Sequence, residues 1–332
     1  MNPSWKFFAA FAAAFFLVFG LTVAAFCLNL GVRSNSSQWA FDINQKKRLL
    51  AAQPGSPKLL VVGGSATLFG VSAREIQNQT GLRTINLGTH ASLGTSYILY
   101  LAQEAAKPGD TVLLVPEYEL YTYGKIERAS VDSLLLDYIV ARDPAFFHSL
   151  SPMEKWNVFM FTPNDRLIHG LKNRFRAPRP HTGKSIYDFR YINEWGDQTH
   201  HTEAARPPLR DWSPQMKCAL GYGLPPEPKG FAKIEAFCRW AQANGIRVLA
   251  TFPNLRDDSD YHSSAARQSV KMITDFFAGL QVPVIGDYTD ALLPTDQFFD
   301  TIYHPTEEAA LARTRRLVEQ LKPHLKLPAQ RH

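Results

Sequence analysis

Cysteine is scarce here: Cys27, Cys218 and Cys238 are the three in 332 residues. No Cys/His spacing matches a structural zinc site, so a metal-stapled domain is excluded and no metal is expected. Cys27 lies in an apolar N-terminal stretch, which leaves Cys218 and Cys238 as the single candidate disulfide, with two unpaired buried thiols as the alternative. Internal repeats and low-complexity tracts are missing too. No basic run alternates with aromatics as in a nucleic-acid module, so nucleic acid is not an expected partner. No P-loop lysine and no dinucleotide fingerprint accompany the one Gly-Gly-Ser, which makes a phosphate or nucleotide site there the weaker reading.

Long uncharged runs are absent after the first thirty residues, and that isolates the one present. Phe7 to Leu28 carries no charge, and as a helix it reaches about 33 Å, enough to cross a bilayer. Residues 1–33 read as an uncleaved membrane anchor, with a cleaved signal peptide as the alternative. Lys6 precedes the span while Arg33, Lys46, Lys47 and Arg48 follow it, so charge alone permits the inverted topology. Residues 34–57 are polar, with Ser-Asn-Ser-Ser and Gln-Pro-Gly-Ser clusters around a short helix, and read as a stalk. The remainder, 58–332, is long enough for one elaborated domain, and 45% hydrophobic content supplies its core. A net charge of +6 and a pI near 9.1 permit contact with anionic lipid or polysaccharide.

In that domain strands alternate with helices. Strands are expected at 58–62, 83–87, 111–115, 247–252 and 282–285. Helices are expected at 68–79, 95–106, 230–243, 263–280 and 306–321. This spacing implies a parallel sheet covered on both faces. Residues 117–228 interrupt the alternation with aromatics, Pro, Arg and His, the pattern of a substrate-facing insertion. Its Tyr118, Tyr121, Tyr123, Trp195 and Trp212 suit sugar stacking, though for any one of them the core of the insertion itself is the stronger reading. His200-His201 reads as a solvated loop.

Leu59 to Gly70, LLVVGGSATLFG, organises the rest. A buried strand ends in Gly63-Gly64-Ser65 and a helix follows. Ser65 therefore sits at a strand-to-helix turn, with free N–H groups and a positive dipole end beside its hydroxyl. Near the other terminus, Asp300 and His304 stand on a loop feeding the last helix, with Thr306 as its N-cap. A serine after the first strand and an Asp/His pair before the last helix can meet at one sheet edge, as acyl transfer requires: His304 takes the Ser65 proton and Asp300 holds the imidazole. Gly88, after the second strand, offers an N–H as a further oxyanion donor or is simply a turn. Asp287 reads as a turn cap.

Through Gly64-Ser65, Asn86-Leu87-Gly88 and Asp300 to His304, the chain resembles the SGNH (GDSL-like) hydrolase superfamily. Within it, the chain is most similar to the membrane-anchored envelope branch, which includes D-alanyl-transfer proteins of teichoic acid modification and exopolysaccharide O-acetyltransferases. The resemblance implies an α/β doubly wound parallel sheet, a flavodoxin-like three-layer sandwich, carrying a catalytic Ser65, His304 and Asp300. It implies oxyanion or substrate contacts at Gly64 and Gly88, with Glu117 and Tyr118 standing where the family has an asparagine block and Asn254 as that asparagine's replacement. The family separates Asp and His by two residues; here three intervene. Further implications are an ester-linked acyl group on an envelope glycan as substrate, a membrane-bound O-acyltransferase as partner, an extracytoplasmic catalytic domain and no cofactor. A non-catalytic accessory protein of the same fold is the alternative.

Overall fold

The computed structural model describes residues 3–55, 57–124, 126, 132–175, 186–207 and 218–327. Its helices are α1 (Pro3–Asn29), α2 (Gln38–Ala52), α3 (Ser65–Gly70), α4 (Ala73–Thr80), α5 (Gly94–Ala105), α6 (Tyr118–Thr122) and α7 (Ser133–Arg142). Then come α8 (Pro144–Ser149), α9 (Pro152–Phe161), α10 (Asn164–Asn173), α11 (Ala219–Tyr222), α12 (Gly230–Ala243), α13 (Ser264–Gly279) and α14 (Glu307–Leu321). The strands are β1 (Leu59–Val62), β2 (Thr84–Asn86), β3 (Thr111–Leu114), β4 (Arg247–Thr251), β5 (Leu255–Arg256), β6 (Val284–Ile285) and β7 (Leu292–Leu293). The chain divides into two compact units, one of Met1–Gln38 with Ile126–Thr182, the other of Trp39–Lys125 with Gly183–His332.

The second unit holds a five-stranded, all-parallel sheet in the order β2-β1-β3-β4-β6. Its strands are continuous aliphatic runs because both faces are covered. Leu60, Val62, Val112, Leu114, Val248 and Ala250 face one way, onto Ile98 and Ala102 of α5, Ile234 and Phe237 of α12, and Phe277 of α13. Leu59, Val61, Leu113 and Leu249 face the other, onto Ile76 of α4 and Leu317, Val318 and Leu321 of α14. These alternating faces make the fold a doubly wound α/β sandwich. Strand order reverses between β1 and β3, and in such sheets the crevice at the carboxyl ends of those strands is where ligands sit. Ser65 follows β1 and Glu117 follows β3. The opposite ends of β1 and β3 are pinned by a buried ion pair, Lys58 Nζ to Asp110 Oδ2 at 2.6 Å, and Asp110 also accepts from the Lys58 and Lys107 amides.

The supposed stalk departs from expectation. Residues 38–52 form α2, whose Ala40, Ile43, Asn44, Lys47, Leu50 and Ala51 are buried. Leu50 and Ala51 join the main core, and Ile43 packs with Leu68, Phe69 and Ile192. Polar composition misled because one face of a fifteen-residue helix suffices to anchor it. The helix expected over 68–79 is two helices: Val71 and Ser72 are extended, and Ser72 Oγ accepts from Glu75 N to start α4 afresh. Asp197 fixes that restart by accepting from Ser72 Oγ, Ala73 N and Arg74 N. The 117–228 insertion is also not one body, since its described residues 126–175 belong to the first unit and 186–207 to the second.

In the first unit, α1 contains a 25-residue segment, Trp5–Asn29, of mean hydropathy 2.5, long and apolar enough to cross a membrane. Its final turn is tied to α10: Asn29 Nδ2 donates to Leu167 O at 3.0 Å, and Arg166 donates to Asn29 Oδ1 and Val32 O while pairing with Asp137 of α7. Gly170 makes this crossing possible, for a Cβ there would lie 1.5 Å from Asn29 Oδ1. Cys27 is exposed, and Cys218 and Cys238 are separate buried thiols, so the candidate disulfide is not formed.

Candidate active site

Ser65 opens α3 and is 9% exposed at the carboxyl end of β1. The turn before it tolerates no side chain: a Cβ on Gly63 would lie 2.3 Å from Val115 O, and one on Gly64 2.4 Å from Glu117 Oε1. Glu117 is the reason the turn holds. Its Oε2 accepts from Gly64 N at 2.9 Å and its Oε1 from Ala66 N at 2.7 Å, so one carboxylate straddles the nucleophile turn from behind. Burial pushes this carboxyl up to about 7, against the opposing pull of the backbone N–H donors.

Asp300 and His304 meet despite the extra residue between them. Phe298 and Pro305 pair as an antiparallel bridge, and Phe299 N donates to His304 O at 2.7 Å. This closed loop absorbs the additional residue and leaves Asp300 Oδ1 2.7 Å from His304 Nδ1. With Nδ1 donating to the carboxylate, Nε2 is the acceptor. The imidazole lies flat on Phe69 of α3, ring centres 4.1 Å apart at 20°.

What faces His304 Nε2 is the hydroxyl of Tyr187, at 3.3 Å. The Ser65 side chain is a polar neighbour of the same phenol. Phenol, imidazole and carboxylate are thus bonded in series, with the serine beside the phenol. Burial, and then the negative charge of Asp300, hold the phenol above its ordinary range, so it stays neutral with one proton to give and a lone pair to receive. Tyr187 is fixed by rings around it: Trp39 of α2 at 5.1 Å, His90 at 5.2 Å and Phe69 at 5.3 Å. Sequence reasoning missed both Tyr187 and Trp39. Aromatic richness of the insertion was the one signal for Tyr187, Trp39 had none in a stretch read as a polar stalk, and no spacing ties position 187 to position 65.

The remaining sequence-derived positions divide. Gly64 and Glu117 are at the turn, but their N–H and carboxylate are bonded to each other. Gly88 N donates to Asn86 Oδ1 at 2.8 Å, and Gly88 O accepts from buried Lys47. Gly88 is glycine because its Cβ would lie 2.4 Å from Leu68 N, a close approach rather than an open donor. Asn254 does not replace the missing asparagine: its Nδ2 donates to Gly70 O at 2.7 Å and ends α3. Tyr118 is a core residue, 1% exposed, and Tyr121 packs in the same core. Trp195 lines a cleft of about 350 Å³ with Gln53, Gln77 and Arg83, among residues that do not include Ser65. Trp212 lies outside the described residues. Tyr123 is exposed.

The histidine pair is half solvated. His200 is exposed and stacks on Tyr191, whereas His201 is 1% exposed and its Nε2 donates to Phe69 O at 3.1 Å. Burial pushes His201 down to about 4. Asp287 and Thr306 both cap helices. Among the described residues no cluster of His, Cys, Asp or Glu could hold a metal ion.

No protein-family profile and no curated protein matches this chain. Several solved structures resemble its course, among them two bacterial proteins. One, the Bacillus subtilis protein YxiM, is 13% identical over 82% of this chain and 58% of its own, with a TM-score of 0.39, so the chain spans a little over half of that protein. The other, described as a platelet activating factor from Streptococcus pneumonia, is 10% identical over 94% of this chain and 98% of its own, with a TM-score of 0.40.

Proposed function

We propose that this chain is a membrane-anchored serine esterase or O-acyltransferase acting through an acyl-enzyme. The observation that carries the reading is the bonded series Tyr187, His304, Asp300 beside Ser65 at the switch point of a doubly wound sheet. Ser65 Oγ attacks an ester carbonyl. Its proton passes to Tyr187 Oη as the phenolic proton passes to His304 Nε2, and Asp300 stabilises the imidazolium. Collapse of the tetrahedral intermediate returns that proton to the leaving alcohol and leaves Ser65 acylated. Water then completes an esterase cycle, or a sugar hydroxyl completes a transferase cycle. The anchor and the resemblance to envelope acyltransferases support an extracytoplasmic site, an acetylated cell-envelope glycan or exopolysaccharide as substrate, and a membrane-bound O-acyltransferase as acyl source.

A second reading, a non-catalytic accessory protein of envelope polysaccharide assembly, is favoured by one observation. The N–H groups of Gly64, Ala66 and Gly88 are all bonded to protein side chains, and an oxyanion needs such donors. Reaction of the full chain with a fluorophosphonate separates the two. Covalent labelling in the wild type, lost in Ser65→Ala and His304→Ala, is the expected outcome. A folded wild type that neither labels nor hydrolyses 4-nitrophenyl acetate leaves the accessory reading.

A further inference from the structure

Helix α9 turns an apolar face outward. Met153, Trp156 and Met160 recur at helical spacing and are 67%, 48% and 53% exposed. A water-facing helix normally carries charge at such positions, and a contiguous apolar face marks a surface that something covers. What covers it follows from α1, within the same unit. The Phe19 ring of α1 lies 6.4 Å from Trp156 and 6.0 Å from Phe159, and Phe26 lies 5.4 Å from Phe159. Phe19 precedes Asn29 by ten residues, about 15 Å along the helix axis, or roughly half of a ~30 Å hydrocarbon layer. A helix packed beside Phe19 therefore shares the depth of α1.

The charges sort by the same depth. Arg174 donates to Leu28 O at 2.9 Å and Arg166 to Val32 O, placing both guanidiniums at the end of α1, at headgroup height. On α9, Glu154 is buried in a capping box with Ser151, which also satisfies the first backbone donors of the helix. Lys155 is half-buried, with a stem long enough to reach the interface. Thr162 Oγ1 returns its proton to Val158 O, so the turn into α10 presents no bare hydroxyl.

We infer that α9 lies in the bilayer leaflet occupied by the stretch of α1 from Phe19 to Asn29, with lipid acyl chains covering Met153, Trp156 and Met160 and anionic headgroups meeting Arg174. The inference rests on α1 spanning the membrane, one part of the proposed reading. The test is nitroxide labelling of the full chain in phosphatidylcholine–phosphatidylglycerol vesicles, in a Cys27→Ala background where the other two thiols are buried. Met153→Cys and Met160→Cys are compared with Val18→Cys in α1 and Lys271→Cys on the exposed face of α13. Expected is an oxygen-accessible, nickel-chelate-inaccessible signal at 153 and 160, as at 18 and opposite to 271. Chelate access at 153 and 160 with 18 still protected overturns the inference and leaves the anchor standing. Chelate access at 18 as well overturns the anchor. Exclusion of both reagents at 153 and 160 means that protein, not lipid, covers the face, and also overturns it.

Discussion

A Tyr187→Phe substitution keeps the ring among Trp39, Phe69 and His90 and removes the hydroxyl. If the phenol relays the Ser65 proton, kcat falls by roughly 10²-fold or more with KM little changed, the scale of a lost acid–base group. Steady-state ester hydrolysis reads this, and an unchanged kcat would show that Ser65 reaches His304 directly. Two buried titrating groups beside the site give stability a pH signature. His201 is held at about 4 against its ordinary 6.5. The unfolded chain binds its proton first, so its contribution is lost as pH falls through that window, by up to about 3 kcal/mol. Glu117 is held at about 7 against an ordinary 4.5. The folded chain keeps its proton longer, so its contribution, of similar size, is full below about pH 4.5 and lost as pH rises through 7. The two slopes oppose each other between pH 4.5 and 6.5. Urea unfolding across that range should therefore tilt in opposite senses: stability falling with pH in His201→Gln and rising with pH in Glu117→Gln. The places of Ser65, Asp300 and His304 were legible in the sequence because each stands at the end of a patterned element. Tyr187 was not, because its place is set by rings drawn from positions 39, 69 and 90.

At the scale of elements, the strands and helices around the sheet were legible to within one or two residues, since burial on both faces makes each strand a short aliphatic run. Residues 71 and 72 were not. The break between α3 and α4 is imposed by Asn254 on Gly70 and by Asp197 on Ser72, both distant in sequence. For the same reason α2 read as a stalk: its buried Asn44 and Lys47 look solvated until Thr89 Oγ1 and Gly88 O are seen to bond them. Lys58 and Asp110 show how much one element end can depend on a polar contact. With side chains 1% and 0% exposed, they leave a lone buried charge when either is removed. Lys58→Met should cost about 3–5 kcal/mol, measured by chemical denaturation, the range for breaking a buried pair from one side.

For the molecule as a whole, composition gave the long apolar N-terminal helix and the alternation of elements gave the α/β class, while the division of residues 117–228 between two units had no compositional mark. Long-range tertiary contacts, rather than local propensity, decide that division. The same long range governs when the proposed site comes into being. Ser65 leaves the ribosome well before its base, an interval of roughly 10–50 s at ~5–20 residues per second. Throughout that interval α1 has already been made, but Ser65 lacks His304, and for about the first half of it Tyr187 as well. A nascent chain thus presents its apolar helix well before the proposed triad is complete, and the proposed acyl-enzyme has to wait until the loop of residues 298–305 has closed.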